Sequence, residues 1–160
     1  MERERDSNKM PVSLDDLKLH LRITNTDFDE QLKIYLEAAI AACENHTNLI
    51  IWKSTVSFSY DYRPEYRLPV IPVISITSVK VDGNEITDKE YRLKDDVLIV
   101  DHKGDKVEVK MVAGYDDTPG DIKAAILLKA GRIFVNPADS VENLPSSSQM
   151  LLQPYRNINI

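Results

Sequence analysis

The sequence predicts an α+β protein: a helical bundle of about three main helices, with a small antiparallel β-sheet inserted between the long second helix and the third. Three observations carry this. Between residues 13 and 48 apolar side chains recur at three- and four-residue steps, the spacing that stacks them on one helical face. After Asn48 the period falls to two, as in a half-buried strand, and turn residues separate one short run from the next. Thr118-Pro119-Gly120-Asp121 then restarts a helix, with proline at the first helical position, where its missing N–H is no loss.

Residues 1–11 begin M-E-R-E-R-D-S-N-K. This charged stretch contains no apolar segment of a secretion signal and is expected to be a flexible tail. Ser13 opens a first helix over 13–22, where Ser13 and Asp16 stand at capping-box spacing and Val12 is placed to staple onto Leu17. Leu14, Leu17 and Leu21 form its apolar stripe, and Ile23-Thr24-Asn25 is short enough to make a helical hairpin with the next element. That element spans 26–48, a rod of roughly 33 Å at about 1.5 Å per residue. Phe28, Leu32, Leu36, Ala39, Ile40 and Cys43 define its buried face, and Ile34, Tyr35, Ala38, Ala41 and Ala42 widen it. Thr26 is the expected cap. A narrow polar stripe remains: Glu30, Lys33, Glu37, Glu44 and Asn48, with Lys33 and Glu37 at pairing distance along the helix. A helix so widely apolar must be covered on more than one side, by its own chain or by another copy.

The β insertion covers 54–115. Val56, Phe58 and Tyr60 alternate with Thr55, Ser57 and Ser59. Residues 63–67 are expected to form a loop, and L-P-V-I-P-V an edge or extended connection, because proline donates nothing to a ladder. Residues 75–81, 91–93, 97–100 and 107–113 complete the strands. Asp82-Gly83-Asn84 has hairpin chemistry, and His102-Lys103-Gly104-Asp105 predicts a tight reversal between the last two strands.

The third helix covers 119–135 and stops at Asn136-Pro137. Gly131 inside it is unfavourable by roughly 1 kcal/mol against alanine and predicts close approach of another backbone. Residues 138–160 are a loop followed by an apolar arm. Met150, Leu151, Leu152, Tyr155, Ile158 and Ile160 are too apolar for a solvated tail and too few to bury themselves. The arm either folds back or docks on a partner. If it docks, deleting 148–160 leaves a folded protein.

At 160 residues with 42% hydrophobic content, the chain is long enough to bury a core without staples, and its single cysteine, Cys43, excludes an intramolecular disulfide. No apolar run approaches the roughly 20 residues needed to span a membrane. A net charge of −6 argues against tight nucleic-acid binding, which requires a phosphate-neutralising basic face. The five glycines fall into no phosphate-binding loop, and His20, His46 and His102 have no zinc-ligand spacing, so neither cofactor nor metal is expected. Asp95-Asp96 and Asp116-Asp117 are adjacent acids, but neighbours in an extended strand point apart, so turn and helix-start roles explain them better than catalysis. Tyr60, Tyr62, Tyr66 and Tyr91 lack the interleaved basic residues of a base-stacking platform and suit strand packing.

The order of parts resembles the phage head–tail connector (adaptor) proteins, also found in prophages. The similar stretches are S-L-D-D-L-K-L-H-L-R-I, the D-F-D-E-Q-L helix with its A-A-I-A-A-C run, L-P-V-I-P-V-I-S-I-T-S-V, V-A-G-Y followed by T-P-G-D-I-K-A-A-I-L-L, and L-L-Q-P-Y-R. Each alone is a cap, a turn or a packing pattern; the ordered set carries the resemblance. It departs in the last helix, where Gly131-Arg132-Ile133 replaces bulkier residues. The resemblance implies a non-enzymatic structural protein of the virion neck, assembled in the bacterial cytoplasm. It would form a ring, about twelve-fold, beneath the portal protein, extend the DNA channel and seat the next neck or tail completion protein. Double-stranded DNA would pass through without tight binding. The candidate interface residues are then Glu30, Glu37 and Glu44 on the helix stripe and Gln149, Met150, Leu151, Leu152, Tyr155 and Arg156 on the arm. The competing reading is a monomeric binding module, or a small enzyme with a site on the sheet.

Overall fold

A computed structural model describes residues 1–137 and 144–158. The central part of the expected C-terminal loop, 138–143, and Ile160 lie outside them. The chain forms two compact units: Met1–Lys9 with Trp52–Asp116, and Met10–Ile51 with Asp117–Ile160.

The first unit is all β. A five-stranded antiparallel sheet has the order β1 (Glu2–Arg5), β2 (Ser54–Asp61), β8 (Lys106–Ala113), β4 (Val73–Val81) and β5 (Asn84–Glu85). A second sheet has the order β3 (Glu65–Arg67), β7 (Val97–Val100) and β6 (Tyr91–Lys94). The two-residue period fixes the faces. Val56 opposes Met111 and Val79 opposes Val109, and these side chains are buried, whereas Ser59, Glu108 and Lys110 lie on the exposed face.

Three expectations are corrected here. The N-terminal residues are not a flexible tail. β1 adds to the edge of β2, the Asp6 N–H donates to the Lys53 carbonyl at 2.9 Å, and Trp52 Nε1 donates to the Asp6 carbonyl at 2.8 Å. The Arg5 guanidinium lies over the Trp52 ring at 4.9 Å, so this charged segment is held by backbone ladder and cation–π contact instead of by apolar burial. Residues 63–67 are not simply a loop, since Glu65, Tyr66 and Arg67 pair with Ile99, Leu98 and Val97. The segment 102–105 does not close a hairpin: β7 and β8 belong to different sheets, because turn chemistry bends the chain without choosing the strand's partner.

The second unit is helical: α1 (Leu14–Leu21), α2 (Asp29–Thr47), α3 (Gly120–Val135) and α4 (Ser146–Leu152). α1 and α3 pack against α2 and against each other, and α4 packs against α3 and α2. The core holds Leu17, Leu32, Leu36, Ile40, Ile122, Ile126 and Leu152, all fully buried. α2 begins at Asp29 without a side-chain cap, so Thr26 does not cap it. The Thr26 carbonyl instead accepts the Asp29 N–H in a turn before the helix.

At α1 the capping box forms as the spacing predicts. Asp16 N–H donates to Ser13 Oγ at 3.1 Å, and the Asp16 carboxylate accepts the Ser13 hydroxyl at 2.6 Å and the Ser13 N–H at 3.2 Å. These bonds, the hydroxyl's first, hold Asp16 below the usual carboxylate range. A depressed acid stabilises the fold above its unfolded-state pKa and loses that contribution as pH falls through its folded value. Ser13→Ala is therefore expected to cost about 1 kcal/mol near neutral pH. The difference from the parent should shrink once acid protonates Asp16, as urea titrations over a pH series would read.

Two glycines behave oppositely. Gly114 has φ +108°, and a Cβ there would stand 2.8 Å from Lys53 Cα, so Gly114→Ala meets both a strained backbone and a fixed neighbour. A Cβ at Gly131 would meet His20 Nε2 and Leu21 Cδ2, both at 3.5 Å. Side chains of α1, not a second backbone, therefore cover Gly131, and they do so at ordinary contact distance. Thermal melts should show Gly131→Ala stabilised by roughly 0.5–1 kcal/mol and Gly114→Ala destabilised by at least as much.

Candidate assembly interface

α2 is positioned by its buried Leu32, Leu36, Ile40 and Cys43, whose thiol is pushed up to about 12 by burial and is inert. Two residues from Leu32 and from Leu36 the helix has turned roughly 160° away, which is where Ile34 stands, 66% exposed. Ile34 therefore does not widen the buried face as expected. Ala38 is also exposed one turn on.

The acidic stripe is shorter than the sequence suggested. Glu30 and Glu37 are exposed, and Lys33 pairs with Glu30 at 2.7 Å. Glu44 is only 7% exposed. The left-handed cap at Asn48 turns the chain back over the last helical turn, and the Glu44 carboxylate accepts the Ile51 N–H at 2.8 Å. Glu44 thus satisfies a buried backbone donor and is removed from the surface candidates.

The arm also divides. Ser148 and Leu152 are fully buried, Ser148 Oγ donates to the Ala125 carbonyl at 3.1 Å, and the Asn157 N–H donates to the Thr47 carbonyl at 2.8 Å. Over the described residues the arm folds back, and Leu152 belongs to the core. Met150 on the outer side of α4 is 77% exposed, beside exposed Gln149, whose Nε2 donates to the Leu144 carbonyl at 2.9 Å. Leu151 and Tyr155 are half-buried and Arg156 is exposed.

A feature that the sequence reading passed over lies between α1 and α3. Val12, Asp16, Leu19, His20, Lys123 and Leu127 line an open groove of about 420 Å³. Leu19, 80% exposed, stands between buried Leu17 and half-buried Leu21, again on the opposite side of its helix. The signal was present as a position two residues off the apolar stripe.

The sheet unit offers less chemistry. Tyr60 and Tyr66 stack at 3.7 Å with Phe58 alongside, and burial pushes the Tyr60 phenol up to about 12. Asp116 pairs with Lys53 at 2.6 Å and Asp117 with Lys123 at 2.9 Å. Among the described residues, no group of three or more His, Cys, Asp or Glu could hold a metal ion. Among the described residues, no helix is long and apolar enough to cross a membrane.

The helical unit carries exposed aliphatic positions and the sheet unit a polar face, surfaces on which other chains can pack. The family comparison says in which kind of assembly. Residues 11–91, just over half of the chain, match the family described as Phage gp6-like head-tail connector protein, and the chain belongs to that family. It is a structural connector of a phage-like particle. No curated protein matches the chain.

The fold is similar to solved neck components of gene transfer agent particles. In the neck of the empty particle, computed with C6 symmetry, one chain matches with TM-score 0.75 and 20% identity, over 100% of this chain and 97% of that one. A chain in the native particle's neck, computed with C12 symmetry, matches with TM-score 0.74 and 21% identity over the same shares.

Proposed function

We propose that this chain forms a homo-oligomeric ring in the virion neck, seated beneath the portal, where it extends the DNA channel and offers a seat to the next neck or tail protein. Membership of the connector family carries the reading. Its fold likeness, over the whole chain, to a component of a neck computed with C12 symmetry supports a ring of about that order. A net charge of −6 suits a lumen that DNA must traverse without adhering. The chain's work in this reading is structural, not catalytic. Glu30 and Glu37, with the exposed Gln149, Met150 and Arg156 and the half-buried Leu151 and Tyr155 of the arm, are the surfaces assigned to the portal, to neighbours or to the channel.

The test is a concentration series of the purified chain by light scattering and native mass spectrometry, with and without purified portal. A ring, alone or on the portal, is expected. A monomer that ignores the portal at every concentration overturns the reading. Met150→Glu should leave the melting temperature unchanged, because the side chain is exposed, while weakening capture by immobilised portal if the outer side of α4 makes that contact.

A further inference from the structure

β4 is paired unevenly. On one side it meets β8 from Val73 to Val81. On the other, β5 meets only Lys80 and Val81, and the Ile86 N–H adds one bond to the Val79 carbonyl at 3.0 Å. Among the described residues no further strand lies on that side, so the outward backbone groups of 73–78 have no ladder partner.

Charged side chains are a common guard against pairing at a sheet edge. β1, β5, β3 and β6, which end the two sheets, each carry at least one Glu, Lys or Arg. Residues 73–78 read V-I-S-I-T-S, without a charge, and Ile74, Ser75 and Thr77 are exposed. The register with β8 skips Ile74 and Thr77, two bulges that bend the strand. Such bends keep the flat edge of another folded sheet from lying alongside. An extended segment that orders on contact can follow them.

Resting on the ring reading above, we infer that this edge of β4 takes a strand from the next neck or tail protein. The strand lies beside 73–78, in line with β5, over roughly 20 Å at about 3.3 Å per residue. A row of unpaired N–H and C=O groups is matched by another extended backbone, which sets the occupant's chemistry. Next to Ile74 and Thr77 the added strand needs uncharged β-branched or hydroxyl side chains.

A second copy of the sheet does not fit. With β1 of one copy laid on β4 of the next, equivalent strands stand four strand steps apart. Each step turns the strand direction by about 20–25°, and by at least about 10°, so each copy turns it by about 40° or more. Copies in a ring of about twelve are related by a rotation of about 30°, which turns no direction further than that. A two-fold pairing of β4 with itself has no place in a cyclic ring either. The surfaces assigned above to the portal, to neighbours and to the channel all belong to the helical unit. The sheet unit is left for the protein that follows.

The test is amide hydrogen exchange of the full chain, read by mass spectrometry on fragments covering 73–78. The outward amides should exchange fast in the free chain and in its assembly on portal. They should slow when the purified next neck protein is added. Slowing already in the ring or on portal means another occupant and overturns the proposal. So does fast exchange once the next protein is bound, or its failure to bind a parent ring that has formed. The double variant Ile74→Lys, Thr77→Lys should melt like the parent, still form the ring, and bind the next protein at least about tenfold more weakly. Parent-like binding by that variant also overturns the strand edge while leaving the ring reading intact. A parent chain that never assembles, even with portal, removes the ring reading and this inference together.

Discussion

Leu36→Asp is expected to leave no folded helical unit, seen as loss of most of the far-UV helical signal and of any cooperative melt. Leu36 is fully buried at the middle of α2, between Leu32 and Ile40, with α3 packed on the same helix. Removing a buried leucine side chain costs roughly 2–5 kcal/mol by itself. Placing a carboxylate there adds the desolvation of a charge without a partner, several kcal/mol more unless it takes up a proton. A domain of this size has only about 5–15 kcal/mol in total. Ile34→Asp, two residues away, should melt like the parent, and that contrast separates burial from mere helical position. A folded Leu36→Asp would mean that α2 does not sit in the core as described.

Truncation before α4 is expected to be nearly as damaging. Removing 146–160 uncovers the α2–α3 surface that Leu152 fills and leaves the Ala125 and Thr47 carbonyls without their Ser148 and Asn157 donors. Leu152→Ala alone should cost about 2–5 kcal/mol by chemical denaturation. Met150→Ala should lie within about 0.5 kcal/mol of the parent. This reverses the expectation for a deletion of 148–160, which would spare the fold only if the arm were a docking element throughout. If the truncated chain melts normally, α4 is dispensable and the arm regains its full candidacy as a docking element.

Much of this architecture was legible locally. Ser13 with Asp16 wrote a capping box, Asn48 a helix end, Pro119-Gly120 a helix start and Asp82-Gly83 a turn, because each depends on hydrogen bonds and torsions within a few residues. The buried positions of α2 from Leu32 to Cys43 followed from their period alone. The surface candidates fared unevenly. Glu30 and Glu37 are exposed as expected, but Glu44 and Leu152 are not, and Ile34 is exposed against expectation. These side chains differ little in polarity from their counterparts on the other face. What separates them is whether the chain returns over that part of the helix.

The sequence by itself determined the α+β class, the caps and turns, the buried face of α2 and the resemblance to head–tail connectors, since periodicity and short-range bonding are properties of consecutive residues. Only the tertiary structure decided that the N-terminal strand closes a β unit, that β7 and β8 part into separate sheets, that Glu44 holds the Ile51 N–H, and that Leu152 fills the core while Ile34 and Leu19 face outward. Apart from the Glu44–Ile51 bond, which spans seven residues, these outcomes depend on how distant parts of the chain pack, and a local pattern states which face is apolar without stating what will cover it.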